Sequence, residues 1–164
     1  GATFVGVLSG EPDDLYLLAT DTGYGFVARL GDLITRNKSG KTVISVPAGA
    51  RVMVPVSIKD RAADRIVAVT TSGYMLVIPV SELPQMARGK GNKIINIPAK
   101  LLKSGEEAVV ALASIRGTEK LTVYAGKKYK TMKAAELEEY AGERGRRGRK
   151  LPRGYQRVDT IEVN

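Results

Sequence analysis

IVAVTTSGYMLVIPVSELPQMARGKGNKIINI, residues 66–97, decides how the chain is read. Ile66, Ala68 and Thr70 alternate with Val67, Val69 and Thr71, the two-residue period of a strand with two distinct faces. The Ser72-Gly73 turn leads into a second β-rich run, Tyr74–Val80. An acid-leucine pair, Glu82-Leu83, then precedes a basic glycine-rich loop and a third apolar run, Ile94–Ile97, read as a strand.

The same parts recur in the same order. Gly23-Tyr24 precedes Gly73-Tyr74 by 50 residues, and Asp32-Leu33 precedes Glu82-Leu83 by the same interval. VISVPAG (Val43–Gly49) precedes IINIPAK (Ile94–Lys100) by 51. A more worn copy follows, in which Glu136-Leu137 lies 54 residues after Glu82-Leu83. Coincident features at nearly one offset mark a repeat.

Outside 66–97, strands are expected at Ala2–Leu8, Leu15–Thr20, Tyr24–Leu30, Thr42–Val46, Val52–Ile58, Val109–Ile115, Leu121–Tyr124, Tyr129–Met132 and Arg157–Val163. Pro55 inside one of them suggests an edge or a bulge. MKAAELEEY (Met132–Tyr140) carries good helix formers and predicts a short helix of about two turns; helical periodicity is otherwise almost absent. The repeat units fall near residues 14–58, 64–115 and 118–163, and residues 1–8 read as the closing strand of a preceding unit, as in a piece of a longer protein. Four short strands per unit of about 50 residues give an all-β, propeller-like radial fold of four-stranded blades, with about three blades present.

The 164 residues contain no cysteine and no histidine. The usual zinc sites and the Ser-His-Asp and Cys-His nucleophiles therefore cannot be built. The acids form no paired pattern, so no catalytic residue and no metal ligand is assigned. No apolar run approaches the ~20 residues of a membrane span, and no membrane insertion is expected.

The formal charge is +9, and its distribution is uneven. Residues 34–51, 86–103 and 144–157 contain no acid and hold 16 of the 26 basic residues; the rest of the chain has 10 basic residues against 17 acidic ones. Each window follows an acid-leucine pair, so a radial array brings the windows to one rim. Arg36, Lys38, Lys41, Arg88, Lys90, Lys93, Arg144, Arg146, Arg147, Arg149 and Lys150 are candidate phosphate contacts. Gly40, Gly89, Gly91, Gly145 and Gly148 let the backbone come close to a phosphate and expose its N–H groups. Such contacts bind strongly, with steep salt dependence and little sequence preference.

Two other motifs fail. Ser39-Gly40-Lys41-Thr42 ends like a P-loop, but the required earlier glycine is Thr35. Gly23-Tyr24-Gly25 fits a loose dinucleotide fingerprint but opens a strand where that motif needs a helix, so it is a β-turn. The tyrosines sit in strands or beside turns and are read as core or rim packing rather than base-stacking platforms. A propeller that docks an acidic protein and an RNA-binding β-barrel are the competing readings; the repeat argues against the barrel.

TSGY, the SEL pair, RGKGNKIINIP and GERGRRG (Gly142–Gly148) resemble the C-terminal DNA-wrapping domain of bacterial type IIA topoisomerase A subunits over nearly the whole chain. The resemblance implies a β-pinwheel, in which each blade lends a strand to its neighbour and a basic rim bends duplex DNA. Ala87-Arg88-Gly89-Lys90-Gly91 and Glu143-Arg144-Gly145-Arg146-Arg147-Gly148 do not complete the Gln-Arg-Arg-Gly-Gly-Lys-Gly box of gyrase A. The resemblance is thus to the topoisomerase IV type, with gyrase-type wrapping as the alternative. It implies three partners: duplex DNA, the remainder of a topoisomerase IV A subunit, and the B subunit. It also implies a cytoplasmic, nucleoid-associated location. ATP and Mg2+ would serve other parts of the parent enzyme, with no cofactor here.

Overall fold

Hairpins build the molecule. In a computed structural model, residues 10–32, 46 and 49–164 are described. The expected strand at Ala2–Leu8, all but Val46 of Thr42–Val46, and the Thr35–Lys41 loop with Arg36, Lys38, Gly40 and Lys41 lie outside them.

β1 (Leu15–Ala19) and β2 (Tyr24–Arg29) form the first hairpin, β4 (Arg65–Thr70) and β5 (Tyr74–Pro79) the second, and β8 (Leu121–Ala125) and β9 (Lys128–Met132) the third. Each first strand also pairs, on its other edge, with the strand that closes its unit: β3 (Val56–Ile58) on β1, β7 (Val109–Ile115) on β4, and β11 (Thr160–Val163) on β8. The fourth strand comes from the following unit. β6 (Asn92–Lys93) crosses to pair with β2, and β10 (Arg149–Lys150) crosses to pair with β5. The sheet orders are β3-β1-β2-β6, β10-β5-β4-β7 and β11-β8-β9.

The alternation noted in the sequence decides how the sheets stack. Ile66 and Ala68 face the first sheet in a core with Leu17, Ala19, Val27 and Ile94. Val67 and Val69 face the third in a core with Leu121, Val123, Met132 and Leu137. The middle blade is therefore buried on both faces, and each fully buried Ile or Leu contributes about 1.5–3 kcal/mol. Sheets stacked face to face with exchanged strands make a β-pinwheel.

The two acid-leucine pairs within the described residues place Leu83 and Leu137 in the core. The helix expected within 132–140 is α2 (Ala134–Leu137) and a 3-10 turn, Glu138–Tyr140. Four expectations need correction. Ile94–Ile97 is not a strand: the Ile94 N–H donates to Gly23 O, and the Gly145 N–H donates to Ile94 O. Those bonds to two different segments replace a ladder and drive Ile94, Ile95 and Ile97 between blades as buried pegs. Val52–Ile58 is a strand only from Val56, because Pro55 has no N–H for the ladder; Val52 makes a single bridge to Thr20. The strand expected from Arg157 begins only at Thr160. An unforeseen helix, α1 (Ala99–Ser104), starts after Pro98 and stops at Gly105, whose φ of +77° is left-handed. No helix among the described residues is long and apolar enough to cross a membrane.

Candidate nucleic-acid interface

Both described basic loops are laid on the blade before their own. After Leu83 the chain leaves its sheet: the Val27 N–H donates to Pro84 O, and the Met86 N–H donates to Val27 O. Met86 then packs on Leu18, Phe26 and Ala28 of the first blade. The loop turns through Arg88-Gly89-Lys90-Gly91 into β6. The 141–150 loop repeats the path one blade on. Ala141 bridges Val77, the Gly142 N–H donates to Val77 O, and the chain turns through Gly148 into β10.

Gly91 (φ +78°) and Gly148 (φ +81°) fix this path. Each lies so close to the receiving strand that a Cβ would collide with a backbone carbonyl, that of Gly25 or of Met75. Glycine is needed there for both its dihedral and its size.

A tyrosine on the receiving blade holds each loop. Lys90 Nζ lies 4.0 Å from the Tyr24 ring centroid and Lys93 Nζ 5.9 Å from it. Arg147 Cζ lies 3.6 Å from the Tyr74 ring centroid and Lys150 Nζ 5.7 Å from it. The two sites match residue for residue, since Tyr24 and Tyr74 each open the second strand of a hairpin. Cations over a ring face gain about 0.5–1 kcal/mol at exposed sites.

The second site has a further member. Arg147 donates from both terminal nitrogens to Glu107, at 2.7 and 2.6 Å, and the Glu107 side chain is 0 % exposed. Burial alone would raise the Glu107 carboxyl. Hydrogen bonds from Arg147, Thr70 and Ser72, with the charge of Arg147, outweigh burial and hold it below the usual carboxylate range.

The loops also join each other. Arg144 Nη1 donates to Lys93 O at 2.9 Å, the Gly145 N–H to Ile94 O at 2.9 Å, and the Asn96 N–H to Arg146 O at 2.9 Å. One backbone-linked basic band results, crossing from blade to blade.

The assigned cations divide within it. Arg88 and Lys90 are exposed, without an ion-pair partner among the described residues. Arg149 and Lys150 are exposed too, with Arg149 donating to Glu139 O at 3.4 Å. Arg146 is exposed and pairs with Glu143 at 3.2 Å. Lys93, Arg144 and Arg147 are half-buried; Lys93 donates to Asn96 Oδ1 at 3.0 Å, and the Arg144 N–H to Glu82 Oε1 at 3.1 Å. Gly89 and Gly145 turn the loops with positive φ. Sequence reasoning missed Tyr24, Tyr74 and Glu107 as members of the site. The tyrosines carried a signal, their shared offset; Glu107 carried none.

Residues 14–57 and 64–116 match the family described as DNA gyrase C-terminal domain, beta-propeller. The chain belongs to this family. It is 47 % identical over its full length to the A subunit of DNA topoisomerase 4 from Pseudomonas aeruginosa, spanning 22 % of that relative. The solved Escherichia coli ParC C-terminal domain superposes with a TM-score of 0.89 at 45 % identity, covering all of this chain and 66 % of that one. A DNA gyrase A C-terminal domain superposes with a TM-score of 0.70 at 15 % identity and shares the fold. Topoisomerase IV A subunits thus match the chain from end to end, while the chain spans about a fifth of their length.

Proposed function

We propose that the chain is a non-catalytic module that binds and bends duplex DNA along its basic band, as part of a topoisomerase IV A subunit. The hydrogen-bonded continuity of the 86–93 and 141–150 loops carries this reading. A band that crosses between blades follows a curved path, and a duplex tracking it by its phosphates must curve with it. In the parent enzyme, whose ATP and Mg2+ chemistry and B subunit lie elsewhere, the domain would select and position the DNA segment passed through the break. Decatenation and supercoil relaxation would follow from that placement. The location would be the bacterial cytoplasm, on the nucleoid.

Gyrase-type wrapping is disfavoured because neither described loop completes the gyrase box. The decisive test binds the full-length subunit to nicked circular duplex, ligates, and reads the linking number. A shift supports bending; no shift limits the role to tethering. A protein-docking propeller would instead leave duplex binding weak and no steeper in salt than that of any other polyanion.

A further inference from the structure

The third blade departs from the other two at the position that holds the loops. Tyr24 opens β2 and Tyr74 opens β5, but Lys128 opens β9. A cation stands where the others present a ring, and no strand of the described residues lies on that edge. Beside Lys128 the structure has an open groove of about 490 Å³, lined by Lys127 and Lys128 from the hairpin and by Gly154, Gln156 and Arg157 from the segment after β10. Lys128 Nζ lies 3.5 Å from the point where Gly154 would carry a Cβ, an ordinary van der Waals distance that places the ammonium beside the glycine wall of the groove.

The groove cations have no acid of their own. Lys127, Lys128 and Arg157 make no ion pair among the described residues. Asp159, just before β11, turns its carboxylate to the hairpin and accepts the Gly126 N–H at 2.7 Å. Arg146 and Arg147, by contrast, each face a carboxylate. The groove is also continuous with the band. From Lys150 at Tyr74, the acid-free segment passes Leu151, whose N–H donates to Gly73 O, and lays Gln156 against Gly73. Arg157 follows at the groove wall.

We infer that this groove is a separate phosphodiester site, where a duplex already lying on the basic band makes its next backbone contact through Lys127, Lys128 and Arg157. Three cations on two segments, with a glycine between them, suit phosphate oxygens, which accept from any direction. An acidic peptide would fit the charge but not the continuity with the band. The inference rests on the duplex-binding reading above and extends it to residues outside the two loops.

The test presents the full-length subunit with two linear duplexes, one covering only the basic loops and one several helical turns long. The variant is Lys127→Gln with Lys128→Gln and Arg157→Gln; Lys127→Gln alone, at the hairpin turn, guards against misfolding. Affinity for the long duplex is expected to fall on the order of tenfold, with the slope of log K on log salt shallower by about 2.7 for three contacts and about 0.9 for Lys127 alone. Affinity for the short duplex should stay at the wild-type value. Unchanged affinity for both lengths, or better competition by polyglutamate than by duplex at equal charge, overturns the groove assignment. Failure of the wild-type protein to bind either duplex overturns the duplex-binding reading itself, a distinct result.

Discussion

The 86–93 and 141–150 loops follow one path across two blades, yet they use their cations differently. In the first, Lys90 rests on the Tyr24 ring and is otherwise exposed, and Arg88 is exposed beside it. In the second, Arg147 takes the same place over Tyr74 but is clamped to the buried carboxylate of Glu107. Matching backbone bonds locate the residue that makes the difference. The Thr71 N–H donates to Ala108 O and the Asp21 N–H to Arg51 O, so Glu107 corresponds to Ala50. A single acid in one blade separates an exposed cation from an ion-paired one. Repeated basic composition is therefore not repeated structure: the first loop leaves its charge exposed, and the second uses part of it to fasten blade to blade.

Arg147→Ala should break this comparison most severely. It strands a buried carboxylate and should cost about 3–5 kcal/mol; Glu107→Gln, which leaves a guanidinium only partly buried, should cost about 2–3 kcal/mol. Thermal melting at neutral pH measures both. The sign of the pH dependence follows from the lowered carboxyl. Glu107 stabilises the fold above the unfolded carboxylate value, near about 4.3, and that contribution is lost as pH falls through the lower folded value. The gap between wild type and Glu107→Gln should therefore close on acidification below about pH 4. A gap that persists there would mean that Glu107 contributes packing rather than charge.

The opposite loop should respond in binding rather than stability. Arg88→Ala with Lys90→Ala should lower duplex affinity on the order of tenfold and flatten the salt slope by about 1.8, at 0.9 per contact. Its melting should move by less than about 0.5 kcal/mol, as for other exposed substitutions. Glu107→Gln, measured below its melting transition, releases Arg147 and should keep the wild-type salt slope or steepen it by up to about 0.9, never flatten it. Equal slopes for both variants would erase the distinction between the loops.

How much of this is legible in the sequence depends on which contacts repeat. Period-two alternation in 66–71 and the 50-residue offset of Gly-Tyr and acid-leucine pairs specify strands, hairpins and a radial array, because those patterns answer to local pairing and burial. The Ile94–Ile97 run misleads, since apolar β-branched residues suit both a strand and a peg. Only the hydrogen bonds to Gly23 and Gly145 decide between them, and they come from distant segments. The basic windows are evident, but their division is not. Whether Arg147 faces solvent or a carboxylate depends on Glu107, 40 residues away, with no counterpart in the neighbouring unit to flag it.

Tyr24 offers the smallest and most discriminating change. Tyr24→Leu removes the ring under Lys90 and Lys93 while keeping an apolar side chain, and about 0.5–1 kcal/mol of cation–π attraction should go with it. Lys90 then samples more rotamers before meeting a phosphate, so duplex affinity should fall less than tenfold, with the salt slope unchanged because no charge is lost. Tyr24→Phe keeps the ring face and should restore wild-type binding; a hydroxyl-dependent role would leave Phe as weak as Leu. Tyr74→Leu should affect binding less than Tyr24→Leu, because Glu107 still holds Arg147 in place. Equal losses at the two tyrosines would show that the clamp on Arg147 does not set the loops apart, and that the ring alone positions both.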